Sequence, residues 1–101
     1  SALGARMLRS PRVEREWAFT WRRKTPEGDQ LLQGVVDCCF LEDGKWILVD
    51  YKTDSARDIE GALARHRPQL ALYEEALCCL TGIPVAERII WMVRAMEAYR
   101  V

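Results

Sequence analysis

The sequence predicts an α/β domain, a central mixed β-sheet of four to five strands with a flanking helix at about 68–82. Three observations predict it. "VEREWAFTW" (13–21) alternates with period two, and two more runs rich in strand formers follow, "LLQGVVDCCFL" (31–41) and "KWILVDYKT" (45–53). Asp43-Gly44, between those two runs, is a two-residue hairpin signal. "PQLALYEEALCCLTG" (68–82) then changes to a helical period, and "ERIIWMVRA" (87–95) returns to a strand pattern.

Residues 1–12 are poorly defined: they show no clear period before Pro11, which suits the tail of a helix or a disordered end. In the first strand Val13, Arg15, Trp17, Phe19 and Trp21 alternate with Glu14, Glu16, Ala18 and Thr20. "KTPEGDQ" is a turn punctuated by Pro26 and Gly28. The next two strands are apolar on both faces, so the sheet should be covered on both sides. "SARDIEGALARHR" (55–67) reads as a helix or loop-helix with Ser55 as its cap and Asp58 three residues on. Pro68 disfavours helix at Arg67 and suits the first turn of a new one. Gln69, Leu72, Tyr73, Ala76 and Leu80 then form one stripe, and Gly82 stands where a C-terminal stop belongs. "EAYRV" is a candidate fifth strand.

A length of 101 residues, half of them hydrophobic, suits a single domain over 1–101 with a core of its own. No apolar run reaches the roughly 18 residues of a membrane span, and the start lacks a signal-peptide core, so a cytoplasmic protein without membrane contact is expected. Fifteen basic residues balance fifteen acidic ones, which neither favours nor excludes nucleic acid. Arg6, Arg9, Arg12 and Arg15, and the cluster Arg22, Arg23 and Lys24, read as solvated surface before phosphate contacts. The four cysteines form two adjacent pairs, Cys38-Cys39 and Cys78-Cys79, without the spacing of a zinc or iron–sulfur site. All four are expected to fill core space in a reducing compartment.

The stretch "ILVDYKTDS" (47–55) carries Asp50, Lys52 and Asp54 at every second position after Leu48. A two-residue turn at Asp43-Gly44 would pair Glu42 with Lys45, Leu41 with Trp46 and Cys39 with Leu48. Asp37 then falls opposite Asp50, and Val35 opposite Lys52, on a face shared with Cys39, Leu41, Trp46 and Leu48. Val36, Cys38, Phe40, Ile47, Val49 and Tyr51 make the other face. Opposed carboxylates, with Cβ atoms about 4.5–5.5 Å apart, destabilise a sheet unless a cation joins them. Lys52 is one such cation, in an ion-pair cluster; a hard divalent metal is the other. Both readings stay open on the pattern alone.

"GVVD" (34–37), "VDYKTD" (49–54) and "RPQLALYEEAL" (67–77), preceded by "REWAF" (15–19), resemble the PD-(D/E)XK nuclease domain. The likeness is nearest to the RecB/AddA-type nuclease at the C-terminus of UvrD-like helicase-nucleases, and it covers about residues 13–81. It implies a restriction-endonuclease-like core and Mg2+-dependent (or Mn2+-dependent) exonucleolytic hydrolysis of DNA in double-strand break repair and recombination. It implies that Asp37, Asp50 and the carbonyl of Tyr51 bind metal, and that Lys52 positions the attacking water and stabilises phosphate charge. Gln69 and Tyr73 match its Q-x-x-x-Y and would line the site or contact DNA. Glu16 matches a first-strand glutamate that would assist the metal through water, or is a solvent-facing strand residue. The implied partners are DNA, the helicase remainder of a parent chain and the second subunit of an AddAB-like complex.

Relatives usually carry a metal-ligating histidine on an upstream helix, whereas the one histidine here, His66, stands beside the R-P-Q-L motif and reads as a surface or helix-end residue. The chain has no G-x-x-x-x-G-K-[ST] and hence no ATP site. Both absences suggest a fragment whose second sheet face is left open, apolar and prone to self-association. A non-catalytic nuclease-like module that binds DNA or a partner subunit is the alternative from another class. A standalone nuclease of the same superfamily would keep the site and change the biology.

Overall fold

The computed structural model describes residues 1–101, apart from the side chain of Ala56. The chain runs α1 (Ala2–Arg9), β1 (Val13–Thr25), β2 (Gly28–Glu42), β3 (Lys45–Lys52), a 3₁₀ turn (Ala56–Asp58), α2 (Ile59–Thr81), β4 (Val85–Met92) and β5 (Glu97–Arg100). The strands form one sheet in the order β1-β2-β3-β4-β5. Only β3 and β4 are parallel, so the sheet is mixed, as expected. A parallel pair needs a crossover, and α2 provides it. Among the described residues no helix is long and apolar enough to cross a membrane.

Asp43 (φ 52°) and Gly44 (φ 76°) are both left-handed, as a two-residue type I′ hairpin demands. The observed pairs Glu42↔Lys45, Leu41↔Trp46 and Cys39↔Leu48 are those expected from that turn. Cys39, Trp46 and Leu48 pack beneath α2 with Ala76 and Leu77. Cys38, Phe40, Ile47 and Val49 pack on the opposite face, so the adjacent cysteines do point to opposite sides. The β1–β2 turn is also tight, with Thr25 paired to Gly28 around Pro26 and Glu27, so both strands outrun their expected ends.

Several expectations are corrected. The second face is not open. Residues 2–9 form α1, with the Ser1 Oγ accepting from Gly4 N at 3.0 Å. Leu3 and Met7 cover Cys38, Phe40, Ile47, Val49 and Ile89. Arg6 fastens the helix to the sheet, its Nη2 lying 2.7 Å from Glu42 and 3.1 Å from Glu87. Pro68 does not start a helix; it lies inside a continuous α2 of 23 residues. The ring removes one hydrogen-bond donor, but Leu63 and Leu70 on either side are buried against Ile90 and Met92, and that packing holds the helix together. Asp58 caps α2 through Gly61 N at 2.9 Å, while Ser55 caps the 3₁₀ turn.

The buried stripe of α2 is Ala62, Leu63, Leu70, Ala76 and Leu77. Leu80 is 45% exposed, and Cys78 and Cys79 are exposed rather than core-filling. In the last turn of α2, Thr81 faces Trp46 of β3, whereas Cys78, Cys79 and Leu80 face away from the sheet.

The faces assigned to Val35 and Val36 are also corrected. Val36 is fully buried with Phe19 and Cys39, and Val35 is 48% exposed. The cause lies at Glu16, which has φ 49° and falls opposite Asp37, between the pairs Arg15↔Cys38 and Trp17↔Val36. One left-handed residue in a strand breaks the alternation. On one side of it Val13 faces α1; on the other Trp17, Phe19 and Trp21 face α2.

Candidate active site

The β2–β3 ladder runs from the hairpin turn to Cys38↔Val49 and stops. At the next step Asp37 Oδ2 accepts the main-chain N–H of Tyr51 at 2.8 Å. The carboxylate replaces a ladder carbonyl and stands beside Asp50, which the same register brings to that level. Asp50 is buried, 4% exposed, and is the only charged residue of the core among the described residues. Lys52 Nζ lies 2.9 Å from its Oδ2. The contact is an ion pair by distance, yet no donor is aligned on Oδ2, which counts as a buried oxygen without a hydrogen bond.

Burial pushes the Asp50 carboxyl up to about 6, the neighbouring Asp37 carboxyl adds to this, and Lys52 opposes it. The folded state therefore holds this proton more tightly than the unfolded chain. The resulting stability is full below the ordinary value of 3.8 and is lost as pH rises through about 6. In EDTA the wild type is expected to gain more in urea midpoint between about pH 7.5 and about pH 5 than Asp50→Asn does. Equal gains in the two proteins would show that the carboxyl titrates normally.

From β3 the site continues onto α2. Lys52 Nζ donates to Gln69 Oε1 at 3.0 Å, and Gln69 Nε2 donates to Tyr73 Oη at 3.1 Å. Gln69 and Tyr73 are four apart and share a helix face. Asp37, Asp50, Tyr51, Lys52, Gln69 and Tyr73 thus form one connected group. Glu16 reaches the level of Asp37 in the register but is exposed and makes no hydrogen bond or ion pair among the described residues.

The pattern missed a second clamp, between the loop after β3 and α2. Asp54 lies 3.0 Å from both Arg65 Nη2 and His66 Nε2, which draw its carboxyl below the usual range. His66 is therefore neither at a helix end nor simply on the surface. Helical spacing shows only that His66 stands three residues before Gln69, one turn earlier on the same face, and says nothing of Asp54.

A divalent cation fits this place in two respects. A buried carboxylate oxygen has no aligned donor, and two carboxylates suit a hard ion. Among the described residues no group of three His, Cys, Asp or Glu side chains comes together, so the main chain or water would complete the coordination.

The sequence profile of the PD-(D/E)XK nuclease superfamily matches residues 2–98. The chain is 33% identical over 100 residues to the A subunit of the ATP-dependent helicase/nuclease of Lysinibacillus sphaericus (strain C3-41), covering 89% of this chain and 8% of that protein. The protein of the same name from Desulforamulus reducens is 36% identical over 103 residues, or 91% of this chain and 8% of the relative. That of Clostridium botulinum (strain 657) is 35% identical over 104 residues, with the same two shares of 91% and 8%. The chain thus spans about 8% of the length of these relatives. With a mixed sheet, paired acids at a ladder end and a lysine one strand position beyond Tyr51, it belongs to the PD-(D/E)XK nuclease superfamily.

Proposed function

We propose that the chain is the nuclease core of an ATP-dependent helicase-nuclease, cutting DNA phosphodiesters with Mg2+ or Mn2+ during double-strand break repair and recombination. The observation that carries this reading is the buried Asp50 oxygen, held beside Asp37 and Lys52 without an aligned donor. Asp37, Asp50 and the Tyr51 carbonyl would hold the cation, which supplies Lewis acidity and a nucleophilic water. Lys52 places a positive donor beside the buried Asp50, where it would stabilise charge on the phosphate. Gln69 holds Lys52 in place, and Tyr73 holds Gln69. Glu16 contributes through water at most. The remaining partners would be DNA, the helicase part of the parent chain and the second subunit of an AddAB-like complex.

Calorimetry with Mn2+ on the 101-residue chain tests the site, with the wild type beside Asp50→Ala. Binding that is lost in the variant is expected. The neutral net charge, and the absence among the described residues of a third acidic or histidine side chain at the site, favour the rival, a non-catalytic module that binds DNA or a partner. No binding in either protein, together with undiminished DNA cleavage by a longer protein carrying Asp50→Ala, would establish that rival.

A further inference from the structure

We infer that Phe19 and Gly34 are positioning residues for Lys52, acting through Tyr73 and Gln69. The consequence for cleavage rests on the nuclease reading; the geometry does not. Phe19 is 7% exposed on β1, stacks on Trp17 at 5.7 Å and meets the Tyr73 ring edge-on at 5.6 Å and 86°. Edge-to-face pairs prefer this arrangement, so Phe19 sets where the Tyr73 ring can stand. The Tyr73 hydroxyl accepts from Gln69, whose own oxygen accepts from Lys52. Both ends of one planar amide are thereby engaged, and moving Tyr73 turns Gln69 away from the lysine.

Gly34 is the cross-strand partner of Phe19. A Cβ there would lie 2.8 Å from Phe19 Cζ, 2.9 Å from Phe19 Cε1 and 3.0 Å from Tyr73 Cε1. All three are atoms of rigid rings, and both rings belong to the chain of contacts that ends at Lys52. Gly34 is not required for a left-handed backbone, since its φ is not among the positive values. What its position requires is the absence of a side chain under two aromatic rings. The break in alternation at Glu16 turns Phe19 to the α2 side, above Gly34 and against Tyr73.

The test uses four variants of the chain: Gly34→Ala, Phe19→Leu, the two combined, and Leu77→Ala as a packing control from the same cluster. The readouts are the side-chain amide resonances of Gln69 by NMR, Mn2+ binding, and DNA cleavage. Gly34→Ala is expected to move the Gln69 resonances toward free-amide values and to lower cleavage by up to about 10²-fold, with metal binding unchanged. Phe19→Leu alone moves the same resonances, and carries the test should Gly34→Ala fail to fold. In the double variant the added methyl replaces the lost ring edge, restoring the resonances and most of the cleavage. Leu77→Ala lowers the unfolding midpoint and leaves Gln69 in place. Unmoved resonances in the two single variants, or equal movement in Leu77→Ala, overturn the inference. A wild type that never cleaves, with resonances responding as expected, ends the nuclease reading and leaves the positioning role standing. A cleaving wild type with unmoved resonances does the reverse.

Discussion

Lys52→Ala is expected to lower DNA cleavage by at least about 10²-fold while the domain stays folded and still binds Mn2+. The lysine is the one cation at ion-pair distance from Asp50 among the described residues, and its Nζ also donates to Gln69. Its removal deletes the positive donor proposed to stabilise the phosphate but none of the oxygen atoms that would hold the metal. The metal-free variant should also be less stable than wild type, because a buried carboxylate beside a second carboxylate loses its cation. Added Mn2+ should recover much of that loss by mass action. Lys52→Arg is expected to rescue poorly, since a planar fork does not replace a compact ammonium between Asp50 and Gln69. The measurement is digestion of linear DNA by the intact protein, beside urea unfolding with and without metal. Cleavage within a factor of about two of wild type would remove Lys52 from the chemistry, because donors of this class contribute far more.

Trp46→Ala is expected to cost about 3–5 kcal/mol, a large share of the roughly 5–15 kcal/mol available to a domain. Trp46 is fully buried at the start of β3, under α2, among Phe19, Val36, Cys39, Leu48, Ala76 and Leu77. Its Nε1 donates to Thr81 Oγ1 at 3.0 Å, so truncation also loses the bond that ties the end of α2 to the sheet. The half-exposed Leu80 supplies the contrast: Leu80→Ala should stay within about 0.5 kcal/mol, although a helical period places it on the same stripe as Ala76. Urea midpoints of the two variants decide this, and a cost for Trp46→Ala below about 1 kcal/mol would mean that the core under α2 is not the source of stability.

The parts of this molecule that were legible in the sequence are those governed by short-range rules. Period-two runs and the Asp43-Gly44 turn locate β1, β2 and β3 and set the pairing that brings Asp37 to Asp50. Four-residue spacing puts Gln69 and Tyr73 on one face of α2. The ordered motifs from Gly34 to Leu77 point to the family whose profile matches residues 2–98.

Tertiary structure decided the rest, because contacts distant in sequence override local preference. Residues 2–9 have no helical signal strong enough alone, yet the apolar face of β2 and β3 and the pair Glu42 and Glu87 give Leu3 and Arg6 something to bind. Pro68 would end an isolated helix, but burial of Leu63 and Leu70 on its two sides carries α2 through it. No pattern rule announces a left-handed Glu16, so the reversal that buries Val36 and exposes Val35 was invisible. The clamp of Asp54 on Arg65 and His66 joins a loop to a helix eleven and twelve residues away, a distance over which periodicity is silent. Sequence alone determined which acids and which lysine meet, since a strand and its turn fix register locally. Only the packed structure decided how deeply Asp50 is buried and what holds Lys52 against it, since burial is a property of all the elements together.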